Sequence, residues 1–230
     1  MDFFNNKKRV VQRAIVSAVA SSLIAFNSFA STSEDYEKAL TAFNQNEYDE
    51  AYIHLKNSLQ KDPENLAAKI LMGEILLING YLTAAEMEFV EALEMGADIN
   101  LLAEPLGNTW LFLNRYQEIV DFSDLNKLSG DAEREWLMIR ATACIRLQDE
   151  SCALRDYNTI VSRTPNFVPA INGLASIALQ NEDLSKATSL INKAMSLEPE
   201  NAITWRLKGQ LAYRQGDTDA ATAHLQKALT

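Results

Sequence analysis

Residues 61–67 read KDPENLA, and residues 197–203 read LEPENAI. Pro63 and Pro199 stand 136 residues apart, and Pro165, in RTPNFVPA, divides that interval into 102 and 34. All three spacings are multiples of 34. An acidic turn that returns on a fixed interval predicts a chain built from repeats.

Numbering each unit so that Pro63 is its thirty-second residue tests this. Position 8 then holds Ala39, Gly73, Gly107, Ala141, Ala175 and Gly209, all small. Position 20 holds Ala51, Ala85, Ile119, Ala153, Ala187 and Ala221. Position 24 holds Leu55, Phe89, Ser123, Tyr157, Ile191 and Leu225, bulky in all but one unit. Position 27 holds Ser58, Ala92, Asn126, Ile160, Ala194 and Ala228. Within each unit, apolar residues recur at three- and four-residue spacing on either side of a turn such as QNEY (45–48), INGY (78–81), LNRY (113–116) or RQGD (214–217). Each unit is therefore expected to form two antiparallel helices. Small residues at positions 8 and 20 let the two backbones approach to about 8–10 Å, and the bulky residue at 24 fills the space beside them. Such a hairpin leaves most of its apolar face wet until it stacks on a neighbour. The proline ends the second helix and turns the chain into the next unit.

These positions resemble the tetratricopeptide repeat (TPR). The last unit carries the pattern best, with Trp205, Gly209, Gly216, Ala221, Leu225 and Ala228, and departs from it at Lys208 and Ala212. The resemblance implies an all-α fold, a right-handed TPR solenoid of about six 34-residue helix-turn-helix repeats. Their expected bounds are 32–65, 66–99, 100–133, 134–167, 168–201 and 202–230, the third degenerate and the last truncated. The third unit loses the pattern in DFSDLNKLSGDAE (121–133), which reads as a shortened helix or as a notch for a partner. Its Pro105 is tolerated if the helix begins near Leu102, where N–H groups lack intrahelical partners. The helix expected over 218–229 either pairs through an exposed face or precedes further repeats.

Residues 1–30 read as a secretory signal: Lys7, Lys8, Arg9 and Arg13, then the 13-residue apolar run 14–26, then Ser28-Phe29-Ala30, with cleavage expected after Ala30. The run is shorter than the roughly 20 residues a spanning helix needs, so stable membrane insertion after cleavage is not expected; the alternative is an uncleaved anchor. The remaining chain carries 17 basic and 30 acidic residues, a formal charge of −13. That charge disfavours nucleic acid and anionic membrane surfaces. The expected location is the periplasm or another exported compartment.

Gly96-Ala97-Asp98, Leu101-Leu102 and Asn114-Arg115-Tyr116-Gln117-Glu118-Ile119-Val120 resemble the N-terminal part of exported exosortase (PEP-CTERM) and exopolysaccharide-associated TPR proteins of Gram-negative bacteria. Members of that group are typically lipoproteins, whereas this chain has no cysteine near Ala30.

A reactive constellation is missing from the sequence. The two histidines, His54 and His224, lie 170 residues apart at repeat position 23 and read as solvated surface residues. There is no Gly-rich phosphate loop, HExxH or GxSxG, so no catalytic residue, metal site or cofactor is assigned. Cys144 and Cys152 flank the turn RLQDES. They form either a disulfide, worth roughly 2–3 kcal/mol on the loop-entropy model, or two buried thiols.

Binding remains. The family pattern implies a concave groove lined by the first helices. In the early repeats it would present Tyr36, Leu40, Phe43, Ile70, Glu74, Leu77, Glu104 and Asn108. In the later ones it would present Met138, Thr142, Asn172, Ser176, Arg206, Gln210 and Tyr213. Asn108 lacks basic companions, so the Lys/Arg clamp for acidic tails is absent. The expectation is a non-catalytic exported scaffold that holds a protein or peptide partner, assisting an envelope, exopolysaccharide or exosortase-linked assembly. The alternative is a carbohydrate-binding accessory of polysaccharide export, which needs exposed aromatics such as Trp110, Trp136 or Tyr213.

Overall fold

The computed structural model describes residues 34–229. The expected signal segment and cleavage site lie outside them, as does Thr230. Among the described residues, regular structure is entirely helical. The chain divides into two compact units, between Leu113 and Asn114.

The first unit contains α1 (Glu34–Asn44), α2 (Tyr48–Lys61), α3 (Leu66–Ile78), α4 (Leu82–Glu94) and α5 (Ile99–Phe112). Helices α1 and α2 pair as one hairpin and α3 and α4 as the next, and α5 packs on α3 and α4. The second unit opens with the five-residue α6 (Tyr116–Val120) and a 3-10 segment (Ser123–Lys127). It continues through α7 (Gly130–Arg146), α8 (Glu150–Arg163), α9 (Val168–Gln180), α10 (Leu184–Leu197), α11 (Ala202–Arg214) and α12 (Thr218–Lys227). There α7 pairs with α8, α9 with α10 and α11 with α12.

The backbone keeps the 34-residue period. Asn46, Gly80, Asn114, Gln148, Glu182 and Gly216 all have positive φ, between 59° and 85°, and each lies 34 residues after the last. Each follows a first helix and reverses the chain. The next N–H then reaches back to a carbonyl five residues earlier, as in Tyr81 to Leu76, Asp183 to Ala178 and Asp217 to Ala212. This left-handed cap consumes carbonyls that the helix end would otherwise orphan. Only Gly80 and Gly216 adopt it without steric cost. Asp149, Asp183 and Asp217 then cap α8, α10 and α12 by accepting the N–H three residues on. The three prolines of the opening motif fall two residues beyond the ends of α2, α8 and α10.

The small residues meet where the hairpins close. Ala39, Ala51, Ala85, Ala141, Ala153, Ala175 and Ala187 are wholly buried, and so are Leu55, Phe89 and Ile191. At Gly73 the fit is extreme, since a Cβ would come within 2.5 Å of the Phe89 ring. At Gly209 the corresponding neighbour is Leu225, which is 41% exposed and free to move.

Two expectations need correction. Helix α5 starts at Ile99 rather than near Leu102, so Pro105 lies inside it and withholds the N–H that would have bonded to the Leu101 carbonyl. Asp98 explains the earlier start, because its side chain accepts the Asn100 N–H and caps the helix there. In the degenerate stretch, α6 is indeed short, but apolar side chains keep it anchored. Ile119 is wholly buried, Val120 packs against the α7–α9 core, and Phe122 lies 4.5 Å, ring to ring, from the buried Trp136.

Gly73→Ala should destabilise the fold by about 1–3 kcal/mol through overpacking against Phe89. Gly209→Ala should be nearly neutral, because helix propensity offsets a movable leucine. Chemical denaturation of the two variants checks the ordering. Gln148→Gly, which relieves the left-handed backbone at an exposed site, should stabilise by about 0.5–1 kcal/mol, read as a raised denaturation midpoint.

Candidate functional site

The expected groove residues do not share one environment. In the first unit, Tyr36, Leu40, Ile70, Glu74, Leu77 and Asn108 are each partly exposed. Phe43, by contrast, is 3% exposed and packs edge-on to Tyr48 at 5.6 Å; it belongs to the core. In the second unit Met138 joins the core cluster of α7–α9, and the Thr142 hydroxyl donates to the Met138 carbonyl. Ser176 is partly exposed, while Arg206, Gln210 and Tyr213 are exposed along α11.

Asn172 departs most from expectation. It is 4% exposed, and its amide nitrogen donates to the Thr204 hydroxyl at 3.0 Å and to the Asn201 carbonyl oxygen of its side chain at 3.4 Å. The Thr204 hydroxyl in turn lies 3.1 Å from Asn172 Oδ1. A polar network that ties α9 to α11 thus occupies the groups assigned to a peptide.

The histidines also differ from the reading of two solvated side chains. His54 is only partly exposed, with Nε2 3.6 Å from Glu50 and Nδ1 buried without a hydrogen bond. The ring of His224 lies 5.4 Å from that of Trp205, and burial together with Lys208 lowers its pKa. The aromatic requirement for a glycan platform fails at Trp136, which is fully buried, and Trp110 Nε1 donates to Glu86 at 2.8 Å. Tyr213 alone of the three is widely exposed.

Cys144 on α7 and Cys152 on α8 are joined across their turn, with Cα atoms 5.8 Å apart. Asp156 lies close enough to the sulfurs to form a metal-sized cluster. Every donor in it is engaged: the sulfurs with each other, and the carboxylate with Arg140, whose Nε and Nη2 donate at 2.7 and 2.6 Å. This pair is buried on the carboxylate side, with Asp156 at 1%. Removing either member would strand a charge.

The sequence reading overlooked how charge is partitioned. Residues 34–113 hold 15 acidic and 4 basic side chains, a formal charge of −11; residues 114–229 hold 15 and 13, or −2. Counting by halves would have revealed it. All four lysines of the first unit are engaged. Lys38 pairs with Glu34 at 2.6 Å, Lys61 with Asp35 at 2.5 Å, Lys69 with Glu91 at 2.9 Å, and Lys56 sits over the Tyr52 ring at 5.8 Å. Lys69 is itself 7% exposed, and nothing in its apolar helix LAAKILMG announced its partners on α4.

Glu74, at the centre of α3, receives no such partner. Its Oε2 is buried without a hydrogen bond. Burial, and then the Glu104 carboxylate on α5, push its pKa up to about 8. Tyr36 on α1 is raised too, first by burial, then by Glu37 and Glu74. Tyr36, Glu74 and Glu104 therefore form one electrostatically linked cluster drawn from three successive first helices.

Comparison with known proteins fits this architecture. The sequence profile described as Tetratricopeptide repeat matches residues 36–99 and 172–230. A curated relative from Dictyostelium discoideum, a homologue of DnaJ homolog subfamily C member 7, is 25% identical over 171 residues. The match covers 72% of this chain but spans only 28% of that relative's length. The crystal structure of a tetratricopeptide repeat protein from Parabacteroides merdae superposes with a TM-score of 0.73 at 22% identity, covering 85% of this chain and 78% of the other. PilW, described as a widely conserved type IV pilus biogenesis factor, gives 0.69 at 20% identity, covering 85% and 97%. At these identities the structures speak to the fold.

A carboxyl whose pKa is raised on folding favours the fold while protonated. Its contribution is complete below about pH 4.5, the unfolded value, and is lost as pH climbs through about 8. Glu74→Gln should therefore be little changed at pH 5 and more stable than the parent at pH 9, by a margin on the order of a few kcal/mol at most. Urea titrations at the two pH values check this, and a parallel shift at both would refute it.

Proposed function

The chain belongs to the tetratricopeptide repeat family, and from that premise we propose a non-catalytic interaction scaffold that works outside the cytoplasm. It holds a segment of a partner protein against its first helices and so assists an envelope assembly, with an exopolysaccharide or exosortase-linked system as the finer reading. The observation that carries the proposal is the surface left open on those helices. Tyr36, Ile70, Glu74 and Leu77 in the first unit, and Arg206, Gln210 and Tyr213 in the second, stay accessible although each helix is built into a packed stack. Stacking needs the faces that carry the alanines and glycines; it does not need these.

The export reading rests on the basic and apolar composition of residues 1–30 and on the cysteine pair, which suits an oxidising compartment. The link to polysaccharide or exosortase systems rests on the resemblance of residues 96–120. The fold that PilW shares with this chain does not transfer its pilus role, and a protein partner is favoured over a glycan because Trp136 is sealed inside.

Expression of the full chain in a Gram-negative host, followed by N-terminal sequencing and thiol titration of the product, tests the compartment. Processing after Ala30 and the absence of free thiols until reductant is added are expected. An unprocessed chain with two titratable thiols would overturn the exported reading. Proximity labelling from the same chain should then mark one envelope protein reproducibly, and a glycan-array signal without protein labelling would overturn the choice of partner.

A further inference from the structure

We infer that the first unit receives a basic side chain, a lysine ammonium or arginine guanidinium on an otherwise apolar partner segment, at Glu74 with Glu104 beside it. The inference rests on the peptide-holding reading and names the chemistry of what is held.

Three independent observations converge on this site. First, a carboxylate oxygen with no hydrogen bond is buried in the middle of an accessible helix face. Buried polar groups are almost always satisfied, and an unpaired one costs on the order of 1–3 kcal/mol. A chain keeps such a group where a ligand completes it. Second, no base of the protein competes for the place. The elements around α3 turn their charges elsewhere: α2 sends Lys61 to Asp35 and His54 toward Glu50. Helix α4 turns Glu88 and Glu91 to Lys69 and Glu86 to Trp110. Only Tyr36 from α1 and Glu104 from α5 act on Glu74, and both leave the cluster without positive charge. Third, the unit that carries the site holds nearly all of the surplus negative charge, −11 against −2 for residues 114–229. A cationic segment is therefore drawn to this unit before any contact forms.

The flanking side chains define the rest of the occupant. Leu40, Ile70 and Leu77 stand at the same two or three repeat positions as Glu74 and Tyr36, so the segment carries apolar residues on either side of its charge. Glu74 retains part of its own surface in solvent, so rotation about its side-chain bonds brings the carboxylate to an arriving cation. Free, the carboxyl keeps its proton near neutral pH; with a cation seated, it gives the proton up. Binding thus releases a proton that a merely structural glutamate would not release.

Selection of a random peptide library on the full, processed chain supplies the probe. Peptides enriched in lysine or arginine at one position between apolar residues are expected, and the enrichment should vanish on Glu74→Gln, a variant whose folding is checked by circular dichroism. For one selected peptide, calorimetry in buffers of different ionisation enthalpy should show release approaching one proton at pH 7. Affinity should rise between pH 6 and 9, and fall about tenfold or more with Glu74→Gln or Glu104→Gln. Peptides that bind without basic enrichment, or whose binding ignores Glu74→Gln, overturn the inference while leaving the scaffold reading in place. Recovery of no peptide overturns both. A calcium chloride titration whose heat is lost in Glu74→Gln, with no basic preference among peptides, would replace the cationic side chain by a metal ion.

Discussion

Close approach of two helices at a small residue is the constraint on which each hairpin depends. A glycine at position 73 admits the Phe89 ring to a distance that no Cβ would allow, and wholly buried alanines repeat the arrangement along both units. The remaining local features serve this contact. A left-handed residue every 34 positions reverses the chain in a tight turn, and an aspartate or asparagine cap restarts it at a fixed register. Without the register, the small residue would face solvent and the bulky one would have no recess. Unit length is thus set by backbone geometry as much as by side-chain size.

This explains what was legible in the sequence. Size and periodicity are properties of single positions, so the alignment of Ala39 with Gly73 and Ala141, and of Ala51 with Ala85 and Ala153, foretold helices and their crossing points. The left-handed turn was half legible. Gly80, Gly216 and the two asparagines suggest it, but Gln148 and Glu182 adopt it only because the flanking helices demand it. The start of α5 was misjudged because Pro105 was weighed without the stronger cap at Asp98.

The surface was less legible, because it depends on pairs. Asn172 sits at a position where the family pattern puts a ligand contact, yet Thr204, 32 residues away, satisfies it. Nothing at position 172 itself signals that partner. The Arg140–Asp156 pair and the attachment of Lys69 to Glu91 are of the same kind. A single repeat position tells which way a side chain leaves its helix; it does not tell whether another side chain already waits there. Half of the assigned groove in the second unit was lost to this effect, and the exposed Arg206, Gln210 and Tyr213 survived because the helix that follows covers none of them.

Satisfaction of polar groups, rather than exposure, therefore separates scaffold from binding surface in this molecule. In the second unit the buried polar groups find each other: Asn172 with Thr204, Asp156 with Arg140, cysteine with cysteine. The first unit does the same at Lys69 and Glu86. Glu74 is the exception, a carboxyl held among like charges and apolar walls where a well-packed core would place leucine. Replacing it with an apolar residue would cost the repeat nothing in packing logic, since Ile70 and Leu77 flank it on the same helix. An acid maintained where the fold would accept a hydrocarbon is a feature that folding alone does not require, and a cation brought from outside is the chemistry that requires it.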